Sequence, residues 1–382
     1  MLSARPVVKS QVLAFLLAAT VCIGGRSFSQ ESSSGDDANN TDTIKNLDVA
    51  QAQQLKTRFR GKALRLNGLS TLQPEVAKVL ANHGDGLFLN GLASLTEATA
   101  SALATCPGFL SLEGLSVLES PQLARQLASH GGPVQLNRLT KVSPPVADEL
   151  ARSRGHLYLD GLQVLHSAPL ARKLAARGDT LMLIHVKELL PEVAEGFANT
   201  TCDLYLNGLT ALDTDAATHF ASHKGALDLD GVDSLEEGTA AALARNDGAV
   251  DLGGVTQLSV EAASKLGKHR GAMCLGGLSK LAPDVATELK SHVGHLQLTG
   301  LRKLDPEAAQ ELVGCKGVIH LDGIDALDDD LALILATHRG APETGFVIGS
   351  DALRDLGDKA ETALRKNPHI RQGNWFARPV SP

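Results

Sequence analysis

From Leu64 the chain restarts every 23 residues, and no other feature restricts its fold as strongly. "LRLNGLSTLQPEVAKVLANHGDG" (64–86) is followed by "LFLNGLASLTEATASALATCPGF" (87–109). Later copies open at Leu110, Val134, Leu157, Leu181, Leu204, Leu227, Val250, Met273, Leu296 and Ile319, giving twelve units that end near Ala341. Ten units have 23 residues. Those at Leu110 and Leu157 have 24, the extra residue falling just before the helical part. The consensus is L-x-L-x-G-L-x-x-L, then a short Ala/Leu stretch, then His-x-Gly.

The first three positions alternate apolar and polar, the period of a strand. Ala, Leu and Ala at positions 14, 17 and 18 have the spacing of one helical face. Proline at position 11 (Pro74, Pro144, Pro191, Pro283, Pro306) suits a first helical turn. A glycine just past the stretch suits a helix end. Each unit therefore reads as a short strand, a turn and about two turns of helix. One unit cannot bury its apolar side alone, so the units must stack.

On these residues the chain resembles the leucine-rich-repeat proteins, over about 278 of its 382 residues. The L-x-L strand is present in every unit, with Val, Met or Ile variants. The spacing is nearer to the bacterial 23-residue class. The resemblance implies an α/β solenoid, with parallel strands on the concave side and short helices on the convex side. It departs in one respect: "GL", as in Gly68-Leu69 and Gly208-Leu209, stands where the family has an Asn after the strand. The family's Asn ladder is therefore not carried over with the resemblance, and the solenoid does not depend on it.

The flanks complete the organisation. Arg5 and Lys9 precede the apolar run 12–25, and "SFS" (27–29) supplies small residues for cleavage, so 1–29 reads as a signal peptide. A retained membrane anchor is the alternative. Residues 30–45 are polar and read as a disordered linker. Residues 46–63 resemble the helical half of a unit and form an N-terminal cap. Residues 64–341 hold the repeats, 342–370 a C-terminal cap and 371–382 a tail with the lone Trp375. The expected location is exported: periplasmic, cell-surface or extracellular. With 3% aromatics the core must be Leu, Val and Ala, and a net charge of −7 argues against a nucleic-acid partner.

The repeat also reassigns the candidate sites. His83, His223, His269, His292 and His338 share position 20, with His130 equivalent and Cys106 and Cys315 in the same slot. Units stack roughly 4.8 Å apart, so one zinc, with ligands ~2.0–2.3 Å away, reaches two neighbours of such a column and not four. The position reads as a helix terminator whose ring bonds the last carbonyls and complements the dipole. Cys106, Cys202, Cys274 and Cys315 are too scattered to pair, and no metal or other cofactor is expected.

Position 2 carries more information. It reads Arg65, Phe88, Ser111, Gln135, Tyr158, Met182, Tyr205, Asp228, Asp251, Cys274, Gln297, His320, and it holds both tyrosines. With position 4 it is expected to point away from the core as a solvated face. Glycine at position 5 fails only at Arg138 and His185, on either side of Tyr158. Gln135, Arg138, Tyr158, Met182, His185 and Tyr205 are the candidate partner contacts, with Asp228 and Asp251 as an acidic flank. No phosphate-cradling loop, nucleophile elbow or HExxH motif is present. The sequence thus reads as an exported, non-enzymatic scaffold that binds a protein or glycan through its sheet face. The alternative is an envelope spacer without a specific ligand.

Overall fold

The computed structural model describes residues 40–341 and 343–373. The expected signal peptide, most of the linker and Trp375 lie outside them. The chain divides between Phe197 and Ala198 into two compact units.

The first unit opens with a helix, α1 (Val49–Arg58), closed at its start by a reciprocal Asp48–Gln51 capping box. Strands β1 (Leu64–Arg65), β2 (Leu87–Phe88), β3 (Leu110–Ser111), β4 (Val134–Gln135), β5 (Leu157–Tyr158) and β6 (Leu181–Met182) alternate with helices α2 (Pro74–Ala81), α3 (Glu97–Leu103), α4 (Pro121–Ala128), α5 (Pro144–Ala151), α6 (Ala168–Ala175) and α7 (Pro191–Ala194). β1 to β5 form a parallel sheet in chain order, pairing Leu64, Leu87, Leu110, Val134 and Leu157 in one register. Positions 1, 3 and 6 point inward: Leu87, Leu89 and Leu92 are fully buried. Each such Leu is worth about 2 kcal/mol of apolar burial. Alanine at position 14 (Ala77, Ala100, Ala124, Ala171) is also fully buried, which lets neighbouring helices approach closely.

The second unit repeats this plan. Strands β7 (Leu204–Tyr205), β8 (Leu227–Asp228), β9 (Val250–Asp251), β10 (Met273–Cys274), β11 (His295–Gln297), β12 (Val318–Leu321), β13 (Gly345–Gly349) and β14 (Ile370–Gly373) run parallel in chain order. Helices α8 (Thr214–Phe220), α9 (Glu237–Leu243), α10 (Val260–Leu266), α11 (Pro283–Leu289), α12 (Pro306–Leu312) and α13 (Asp329–Leu335) lie between strands β7 to β13, and α14 (Asp358–Lys366) precedes β14. Parallel strands alternating with short helices give the leucine-rich-repeat-like α/β architecture that the resemblance implies.

Two features depart from the sequence reading, and a third, the start of the tail, folds back onto the last unit, one of the two arrangements open to it. The Asn ladder is present, because position 4 supplies it. Asn67 Oδ1 accepts from Asn90 N at 3.0 Å, Asn90 Oδ1 from Glu113 N at 3.0 Å, and Asn137 Oδ1 from Asp160 N at 3.1 Å. These side chains satisfy turn amides that would otherwise lack acceptors. The stretch read as linker is ordered at its end: Thr41–Thr43 form a 3-10 turn, Thr41 is buried and bonds Arg65 O, and Asp42 Oδ1 accepts from Asn67 N at 2.9 Å. Asp42 thus occupies the first rung of the ladder. The tail residues 371–373 complete β14, pairing with β13.

The first sheet ends at β5, because β6 is not bonded to it. Arg177 fills the gap. Its guanidinium donates to Leu157 O at 3.1 Å and to Thr180 O at 2.5 Å, the carbonyls on either side of the break.

Candidate contact face

In the first unit, the position-2 side chains form a cluster rather than a row of separate groups. Arg65 lies 4.6 Å over the ring of Phe88. Phe88 meets Phe109 at 5.5 Å, and Phe109 meets Tyr158 edge-on at 6.4 Å. Arg177 closes the series 4.3 Å over Tyr158. The three rings remain half-exposed. Between them, Gln135 is paired in register with Tyr158 and donates to Glu113 Oε1 at 2.7 Å. Arg138 is exposed beside it, while Met182 and His185 stand one repeat further on, past the break. Phe109 and Arg177 were not singled out from sequence. They lie at the end of their units, outside the strand pattern, and only the fold brings them to Tyr158.

The glycines at position 5 have a steric cause. A Cβ at Gly91 would lie 2.2 Å from Asn67 O, and one at Gly161 would lie 1.9 Å from Asn137 O. Turns of successive repeats thus touch through their backbones. His185 follows the β5/β6 break.

In the second unit, position 2 runs in register from Tyr205 through Asp228, Asp251, Cys274, Gln297 and His320. It is not the solvated face expected. Asp228 and His320 are each 8% exposed, and Cys274 and Gln297 are each 6% exposed. Asp228 Oδ1 accepts from Asn207 Nδ2 at 2.9 Å and from Asp230 N at 3.2 Å, and Asp251 Oδ1 accepts from Gly253 N at 2.9 Å. These aspartates hold their own turns, whereas the Asn ladder of the first unit holds the turn of the next repeat. Burial raises the Asp228 carboxyl. Burial, and then the Asp228 charge, push Asp251 up to about 6. At the other end of the row, His295 Nδ1 and His320 Nε2 share a hydrogen bond at 3.0 Å, and burial with the neighbouring ring holds His295 down to about 4.

The position-20 histidines are buried in both units, between 0% and 2% exposed. They do not cap their own helices. His83 Nε2 donates to Lys62 O at 2.8 Å, His130 Nε2 to Gly108 O at 2.9 Å and His338 Nδ1 to Val313 O at 2.6 Å, each a carbonyl of the preceding turn. Asn246 fills the same slot, donating to Phe220 O and His223 O at 2.7 and 2.9 Å. At these four positions the column braces one repeat against the preceding one. His269 and His292 stack at 5.8 Å, and burial pushes His292 down to about 4. A neutral ring supplies no charge to a helix dipole, which removes that part of the sequence reading. Among the described residues, no group of three or more His, Cys, Asp or Glu side chains is placed to hold a metal ion. Cys106, Cys202, Cys274 and Cys315 are all buried, and no disulfide joins them.

No family model matches the chain, and no curated protein matches its sequence. Solved structures do. An internalin (inlF) of Listeria monocytogenes aligns with a TM-score of 0.48 and 12% identity over 87% of this chain and 90% of that one. A leucine-rich-repeat protein of Leptospira interrogans gives 0.43 and 18% over 87% and 88%. A chain of the yeast Rad7 and Elc1 complex gives 0.36 and 14% over 87% and 89%. The fold rests on the strands and helices described above.

Proposed function

We propose that the chain is an exported repeat scaffold that binds a protein partner through the sheet face of its first unit, with no chemistry and no cofactor of its own. The observation that carries this reading is the half-exposed cluster of Phe88, Phe109 and Tyr158, flanked by Arg65 and Arg177, in a chain with 3% aromatic residues. Aromatic and arginine side chains are the groups enriched at protein interfaces. A glycan is less well served. Sugar rings stack on flat aromatic faces, and one face each of Phe88 and Tyr158 already carries a guanidinium. Among the described residues no helix is long and apolar enough to cross a membrane. The export reading stands on the sequence of residues 1–29 alone.

The spacer reading has support in the second unit, where Asp228, Asp251, His295 and His320 spend polar atoms on one another, on their own turns or on Asn207 of the preceding repeat. Asp228 and Asp251 are therefore assigned to structure, and the contact face to the first unit. Affinity capture with the full chain from its native envelope tests this. Tyr158→Ser combined with Arg138→Ser lowers recovery of the partner by about tenfold or more, whereas Asp228→Asn leaves it unchanged. Equal recovery with all three proteins would refute the assignment.

A further inference from the structure

We propose that a cleft at the N-terminal ends of β4 and β5 of the first unit binds a tetrahedral oxyanion, a sulfate or phosphate group. The cleft of about 190 Å³ is lined by Gly131, Gly132, Arg154, Gly155, His156 and Lys173, with Pro133 and Ala176 at its edge. That volume holds an oxyanion and its waters. Drug-sized organic ligands take roughly 300–1,000 Å³.

The charge pattern is specific to this place. Arg154, Lys173 and His156 line one cleft, and no acidic residue lines it. Neighbouring arginines are paired: Arg125 and Arg152 with Glu149 at 2.7 and 3.1 Å, and Arg172 with Glu195 at 3.9 Å. The side chains of Arg154 and Lys173 have no such partner among the described residues. Burial lowers the Lys173 pKa with no acidic group offsetting it. Helices α4 and α5 end close by, and the partial negative charge of a helix C-terminus accounts for one cation there. Lys173 also stands in the last turn of α6, and the helix ends do not explain why both cations line one recess that no acidic residue enters.

The backbone adds donors. The N–H groups of Gly131, Gly132 and Gly155 donate to no protein acceptor among the described residues. Successive glycines pack so closely that a Cβ at Gly155 would lie 1.8 Å from Gly132 O. Gly131, Gly132 and Gly155 thus bring side-chain-free backbone to the lining beside Arg154 and Lys173. Arginine supplies a planar fork for an oxyanion and lysine a point charge.

Isothermal titration of the full chain with sodium sulfate and, separately, sodium phosphate tests the proposal, with sodium chloride at matched ionic strength as reference. The expected result is saturable binding of one equivalent of at least one oxyanion. Arg154→Gln and Lys173→Gln each weaken it by roughly tenfold, the value of one charge-assisted hydrogen bond. Arg172→Gln, which removes a paired charge outside the cleft, leaves it unchanged. The arm that binds more tightly identifies the group. Heats reproduced by chloride, or equal losses in all three variants, would mean an adventitious ion only and overturn the proposal. Should Lys173→Gln fail to fold by circular dichroism, His156→Gln at an exposed position takes its place, with weakened binding expected and unchanged binding contradicting.

Discussion

Asp251 and His292 respond to acid in opposite senses. Burial disfavours the charged form of both. His292, held down to about 4, stays neutral in the fold while the unfolded chain takes up a proton below its ordinary 6.5. Its contribution to stability is complete above pH 6.5 and is lost as the pH falls through 4. Asp251, raised to about 6, contributes below its ordinary 3.8, and that contribution is lost as the pH rises through 6. Asp251→Asn should therefore stabilise the protein at pH 7.5 by about 1–2 kcal/mol, with the gain vanishing near pH 3.5. Urea unfolding at the two values checks this. Replacing His292 with Asn should shrink the stability difference between pH 7 and pH 5. An undiminished difference would show that His292 is not among the groups that respond to acid. The position of the histidines was legible in the repeat. Their partners were not, because a column in sequence does not say that His83, His130 and His338 reach back one repeat to a carbonyl while His269 and His292 stack on each other.

A repeat turn is held by glycine and by the ladder, and both can be tested one residue at a time. A Cβ at Gly231 would meet Asn207 O at 2.1 Å and Leu209 O at 2.4 Å, whereas one at Gly84 meets nothing within 4 Å. Gly231→Ala should cost about 2–4 kcal/mol through forced backbone movement. Gly84→Ala should be neutral or stabilising by up to about 1 kcal/mol. Thermal melts of the pair decide it, and equal losses would remove the close-approach explanation. Asn90→Ala strips acceptors from Glu113 N and Ser111 Oγ and should cost about 1–3 kcal/mol. The strand–turn–helix form of each unit was legible because Leu, Pro and Gly recur at fixed positions. The ladder was missed because an Asn at position 4 looks like any polar residue on an outward strand face. It becomes a structural acceptor only once the next turn is stacked against it.

The positions of the twelve repeat strands, β1 to β12, were legible in the chain, since each unit must bury the same leucines. The interruption after β5 was not, because it depends on one side chain from the end of a unit, Arg177, replacing strand pairing between Leu157 and Thr180. Arg177→Ala leaves both carbonyls without that donor. It should cost about 1–3 kcal/mol and speed amide exchange around 157–182, which exchange mass spectrometry resolves by segment. The same residue lies over Tyr158, so the break and the candidate face belong to one piece of structure. The most direct test of that face is site-specific photo-crosslinking in the native envelope, with the probe at Gln135 on the sheet row or at exposed Gln122 on α4. A discrete crosslinked partner is expected from position 135, lost with Tyr158→Ser, and none from position 122. No adduct at 135, or equal adducts from both positions, would contradict the assignment of the contact face.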